Sequence, residues 1–228
     1  QTKAPTLTGV MPTIPKLTNV ETYVSFTSPK VLTFDPTRSL LYASGNNRIY
    51  KIENGQITTV AGTGTSSHRD GPATSAYFYN IWGMEIDQFD DYQVIFATSS
   101  SYHIIRKFDM RTNMVTTVFG RYNSYGYNDG AALSSRLYNP YGLAVYAKGK
   151  FYIADYSNHK VRQFDGTQVH MVGGYYTRSA GSYDGTWTRA RFNSPRDVVF
   201  EKHQSGKDII YVAEYGDAIR KLEVPSNV

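Results

Sequence analysis

The chain contains no cysteine, so disulfides, thiolate-bound metals and a cysteine nucleophile are excluded. It holds no apolar run of the roughly 18 residues that a membrane-spanning helix needs. Charged residues make up only 19%, and the formal net charge of +5 is not gathered into a basic run. A polybasic tail is therefore absent, and nucleic acid is a weak expectation. There is no Ser nucleophile elbow, no phosphate-cradling Gly loop and no His-Glu-x-x-His segment. No Asn-x-Ser/Thr acceptor site occurs either. Each Asp-Gly loop has one Asp-Gly carboxylate, too few for a calcium loop.

What is present is aromatic. The 228 residues include 20 Tyr and 11 Phe but 2 Trp, and hydrophobic residues reach 40%, enough to bury a core. Many tyrosines lie in Gly-, Ser- and Asn-rich stretches rather than in alternating runs. Aromatics in such loops read as recognition surface more than as packing.

Three markers recur in one register. An apolar residue stands three before a turn position at Phe26/Pro29, Phe78/Ile81, Leu137/Pro140 and Phe192/Pro195. A small residue ends a strand-like run at Ala43, Ala97, Ala154 and Ala213. Asp-Gly recurs at Asp70-Gly71, Asp129-Gly130 and Asp184-Gly185. Recurrence of this kind marks a repeat architecture. Each unit reads as four short strands followed by a long loop, with runs rich in β-branched and aromatic residues and bounded by Gly, Asn or Asp. The expected fold is all-β: a four-bladed β-propeller with blades near 30–62, 82–120, 141–174 and 196–224. Residues 5–10 sit where the last blade lacks its fourth strand and are expected to complete it, which hides sheet edges. The competing arrangement is a piece of a longer, six-bladed ring.

The stretch Phe151-Tyr-Ile-Ala-Asp-Tyr-Ser-Asn-His-Lys-Val-Arg162, preceded by Asn139-Pro-Tyr-Gly-Leu-Ala-Val145, resembles the NHL repeat, and Val60–Gly64 followed by Asp-Gly resembles its loop. The other units are degenerate versions. The resemblance implies a propeller, usually of six blades, and a range of activities: protein binding, RNA binding, surface recognition and, in one subset, a lyase with His ligands. Fold alone does not choose among them.

The long loops carry the binding candidates Tyr77, Tyr79, Tyr122, Tyr125, Tyr127, Tyr138, Arg136, Tyr175, Tyr176, Tyr183, Trp187 and Arg191. Flat aromatics stack on sugars or bases, and Arg adds bidentate and cation–π contacts. The same residues also suit packing beneath their own loops. His103, His159 and Asp217 occupy equivalent turns, a residue set that can hold Zn²⁺. In single blades these residues are ordinary turn chemistry, and no cofactor is expected. Asp155 with Arg162, and Glu214 with Arg220, read as structural ion pairs. Blade one replaces both partners, with Ser44 and Tyr50, and blade two has Thr98 with Arg106.

The sequence therefore points to a non-enzymatic binding module that recognises a protein or a glycan through Tyr- and Arg-rich loops, with a metal- or carboxylate-dependent enzyme and an RNA-binding module as alternatives. The first residue is Gln1 rather than Met, which reads as processing or trimming. With the weakly charged surface, this gives an extracellular or cell-surface expectation.

Overall fold

A computed structural model describes residues 21–203, 207–216 and 218–225. They form four antiparallel sheets arranged as a four-blade β-propeller. Blade one comprises β1 (Pro29–Asp35), β2 (Leu40–Gly45), β3 (Arg48–Glu53) and β4 (Gln56–Ala61). The short β5 (Gly71–Pro72) precedes blade two, made of β6 (Met84–Ile86), β7 (Val94–Ser99), β8 (Ile104–Asp109) and β9 (Met114–Phe119). The equally short β10 (Gly130–Ala131) precedes blade three, made of β11 (Pro140–Ala147), β12 (Lys150–Asp155), β13 (Lys160–Phe164) and β14 (Gln168–Gly173). Blade four has β15 (Pro195–Glu201), β16 (Lys207–Glu214) and β17 (Ile219–Pro225). The strand expected at 5–10 lies outside the described residues.

Strand order within each blade follows chain order, so every connection is local. The Asp-Gly segments do more than turn the chain. Gly71 and Gly130 open β5 and β10, which add a short fifth strand beside β9 and β14.

The core lies between blades, in three clusters. Each cluster is plugged by the apolar marker that precedes a turn: Phe78 between blades one and two, Leu137 between two and three, Phe192 between three and four. All three are at most 1% exposed. Burying one such side chain contributes about 1.5–3 kcal/mol. The marker recurs because every interface between blades needs a plug at the same depth.

A second device repeats with it. Asn47, His103 and His159 each adopt a left-handed backbone in the turn between the second and third strands. Each side chain then accepts the backbone N–H just before the next blade: Asn47 Oδ1 from Asn80 at 3.0 Å, His103 Nδ1 from Asn139 at 3.2 Å and His159 Nδ1 from Ser194 at 3.0 Å. Gly62 and Gly120 are required beside these turns. Their φ values are 91° and 85°, and a Cβ there would meet the Asn47 and His103 carbonyl oxygens at 2.6 and 2.4 Å.

Consecutive blades pack closely, with β1 on β6, β11 on β6 and β7, and β15 on β11 and β12. Among the described residues no apposition of that extent joins blade four to blade one. Leu32 and Phe34 of blade one are 60% and 50% exposed. No helix among the described residues is long and apolar enough to cross a membrane.

Candidate binding face

The long loops and the turns between second and third strands emerge on one end of the propeller, called the top here. Three arginines on the third strands fasten those loops down. Arg106 donates to Asp70 at 2.6 Å and to the carbonyls of Tyr77 and Arg69. Arg162 donates to Asp129 at 2.5 Å, to Asp155 at 3.1 Å and to the carbonyls of Arg136 and Asn128. Arg220 donates to Asp184 at 2.7 Å, to Glu214 at 3.3 Å and to the carbonyls of Arg191 and Tyr183. The expected partnerships Asp155–Arg162 and Glu214–Arg220 are formed. Arg106 is paired with Asp70, so the Asp of each Asp-Gly is an ion partner as well as a turn residue. The sequence does not show that role because Asp70 sits in a loop far along the chain from the strand that carries Arg106.

With the loop aspartates occupied in this way, other cations of the top face lack carboxylates. Arg69, Arg178, Arg191 and Arg196 lie over tyrosine rings, and Lys30 lies over Trp82, 4.3 Å from its centroid. Among the described residues none of these five has a carboxylate within ion-pair distance. The opposite end differs. There Arg38 pairs with Asp35, Lys51 with Glu53, and Arg111 and Lys148 with Asp90.

The sequence candidates fall into separate groups. Tyr79 and Tyr122 join Tyr102 and His68, with Tyr122 stacked on His68 at 4.6 Å. Tyr125 stacks on Tyr138 at 4.6 Å, both meet the His103 ring edge-on, and Arg178 lies over Tyr125, Tyr127 and Tyr138. Tyr175, Tyr176, Tyr183 and Arg191, with Thr188 and Arg189, line a concavity of about 670 Å³. Tyr77 is half-buried beneath Arg69 and serves the loop anchor. Arg136 packs on Gly126. Trp187 is 59% exposed and lines a different groove, with Phe192 and Arg220.

His103 and His159 are occupied as clamps between blades. Burial lowers both pKa values, for His159 with help from Lys160 and Arg178, which suits neutral rings accepting at Nδ1. Asp217, the third metal candidate, lies outside the described residues. Among those described, no group of three His, Asp or Glu residues is placed to hold a metal ion.

One group escaped sequence reading. The residues that follow the four turn positions are Lys30, Trp82, Tyr141 and Arg196, and all line the central channel, a cavity of about 640 Å³. Trp82 stacks on Tyr141 at 5.5 Å, and Tyr141 on Tyr156 at 4.3 Å. Lower in the channel stand Glu85 and Asp197. Burial, reinforced by the Asp197 charge, pushes the Glu85 carboxyl up to about 7. The repeat register alone could have located this ring, since it places the four positions equivalently about the axis.

Fold and face together define a repeat β-propeller with one cationic, aromatic end. Residues 137–164 match the NHL repeat, in line with the resemblance noted in the sequence. It is 24% identical over 187 residues to NHL repeat-containing protein 2 of Gallus gallus, covering 78% of this chain and 25% of that protein. A structural genomics protein of unknown function from Bacteroides thetaiotaomicron superimposes with a TM-score of 0.65 at 21% identity, over 85% of this chain and 46% of that one. An auxiliary nutrient binding protein from Bacteroides ovatus gives 0.61 at 18% identity, over 82% and 45%. The chain thus spans a quarter of that curated relative and less than half of these solved structures.

Proposed function

We propose that this propeller is a non-enzymatic binding module whose top face holds a glycan. One observation carries the reading: among the described residues, the cations that rest on aromatic rings without a carboxylate partner lie on that face, while Arg38, Lys51, Arg111 and Lys148 at the opposite end are each paired with a carboxylate. Rings offer apolar area to sugar C–H faces, and guanidinium groups offer donors to hydroxyl oxygens. Solved structures of similar fold described as auxiliary nutrient binding proteins support a ligand-holding role. An extracellular or cell-surface setting fits this reading. The test is a binding screen of the chain against immobilised glycans, with the paired variant Tyr176→Ala/Tyr183→Ala as control. Saturable binding that the variant loses is expected. Absence of binding to every glycan, or binding that the variant retains, would refute the proposal.

A further inference from the structure

The loop between β14 and β15 is folded back on itself. Tyr183 and Arg191 exchange backbone hydrogen bonds across it, Arg191 N–H to the Tyr183 carbonyl at 3.0 Å and the reverse at 3.3 Å. A buried and a half-buried cation hold this segment from beneath. Lys160, 1% exposed and lowered by burial to about 8, donates to the carbonyls of Tyr175 and Thr177. Arg220 donates to those of Tyr183 and Arg191. The concavity is thus anchored at both ends to blades three and four rather than left as a free loop.

Inside it, the Arg191 guanidinium lies 4.6 Å from the Tyr175 ring centroid and 5.6 Å from that of Tyr183. Arg189 stands beside it, exposed. The nearby Asp184 carboxylate is taken by Arg220, and among the described residues neither Arg189 nor Arg191 has an acidic partner. Tyr176 and Tyr183 are 63% and 62% exposed at the rim. A guanidinium held over rings and without an acidic partner keeps donors available, and its planar fork suits a carboxylate better than a hydroxyl.

Building on the glycan reading, we propose that this concavity binds an acidic polysaccharide through the carboxylate of a uronic acid residue, with Arg191 and Arg189 on the carboxylate and Tyr176 and Tyr183 on the sugar ring. A nucleic acid fits less well. Tyr175 and Tyr176 are close neighbours, 4.2 Å apart and hydroxyl-bonded at 2.9 Å, and leave no slot between rings for a base.

The test is calorimetric titration of the chain with oligogalacturonate and with the same oligomer fully methyl-esterified. Esterification removes the charge and keeps the sugar. The expected result is binding of the acid form that weakens by about tenfold or more on esterification, and by a similar factor in Arg191→Gln. Arg189→Gln, whose side chain is exposed and leaves the loop hydrogen bonds intact, should weaken it several-fold without lowering the melting temperature. Equal affinity for acid and ester, or unchanged affinity in both variants, overturns the uronate assignment while leaving a neutral glycan ligand standing. Binding of single-stranded RNA in preference to oligogalacturonate also overturns it. Failure of charged and neutral glycans alike overturns the functional reading beneath it.

Discussion

Blades three and four are built in the same register, yet one is covered and the other is bare. Ala144 pairs with Tyr152 as Val199 pairs with Tyr211, and Ala154 pairs with Val161 as Ala213 pairs with Ile219. In blade three this face receives β15, and Tyr152 and Val161 are 1% and 0% exposed. In blade four Tyr211 and Ile219 are 37% and 78% exposed, and Val199 is 58%. The polar content shifts as well. Tyr146 stacks on Tyr152, whereas in blade four the Tyr211 hydroxyl bonds Glu201, and Gln163 gives way to Lys221. The same strand pattern therefore carries very different energies in the two blades, depending on what lies against it.

The largest expected difference concerns the two arginines. Arg162 and Asp155 are both 0% exposed, so Arg162→Met leaves an uncompensated buried carboxylate and should cost about 3–5 kcal/mol. Arg220 is 13% exposed, and its partners differ: Asp184 is 97% exposed, while Glu214 is 1% exposed but also accepts from the Asn193 N–H and the Ser182 hydroxyl. Arg220→Met should cost clearly less, about 1–3 kcal/mol. Urea denaturation of both variants measures this, and equal losses would break the comparison. Next come the tyrosines. Tyr152→Ala should cost about 3–5 kcal/mol through loss of a core ring, while Tyr211→Ala should stay within about 1 kcal/mol. Equal midpoints for the two would mean that the blade-four face is covered in solution.

A further contrast is electrostatic. Where blade three has Gly142 two residues after its turn proline, blade four has Asp197, and a Cβ on Gly142 would lie 1.9 Å from an Asp197 oxygen. Asp197 faces the same channel as Glu85. Because the folded Glu85 pKa is raised, from 4.5 to about 7, its protonated form favours the fold. That contribution is complete below pH 4.5 and fades as pH rises through about 7. Glu85→Gln should therefore match the parent near pH 4 and exceed it above pH 7, by about 1–3 kcal/mol. Asp197→Asn should shrink that gap. A pH-independent gap would dismiss the pair.

How much of this was legible follows from where each signal resides. Phe78, Leu137 and Phe192 announced the blades because each interface between blades needs the same plug. The grouping of Tyr175, Tyr183 and Arg191 was visible as loop composition within one segment. Trp82 and Tyr141 were not, because the first residue of a strand reads as sheet until the register sets it beside a channel. The pairing of Arg106 with Asp70 joins a strand to a distant loop, which composition does not report. The bareness of Ile219 was also invisible, since Val161 in the same position is fully covered. Burial there is a property of the neighbour and not of the strand.

The smallest difference tests how the loops are tied down. Asp129 accepts from Arg162 and also from the Met171 backbone N–H at 3.1 Å, just as Asp70 accepts from Arg106 and from Thr117 N–H at 2.9 Å. Each of these carboxylates fastens its loop to a third and a fourth strand together. The described part of blade four has three strands, and Asp184 holds Arg220 while almost fully exposed. Asp129→Asn weakens a charge-assisted bond to a buried guanidinium and should lower stability by about 1 kcal/mol. Asp184→Asn should leave the unfolding midpoint unchanged, because solvent already screens that charge. If Asp184→Asn proved as costly as Asp129→Asn, the loop of blade four would have to be held in solution by contacts equivalent to those that β14 supplies in blade three.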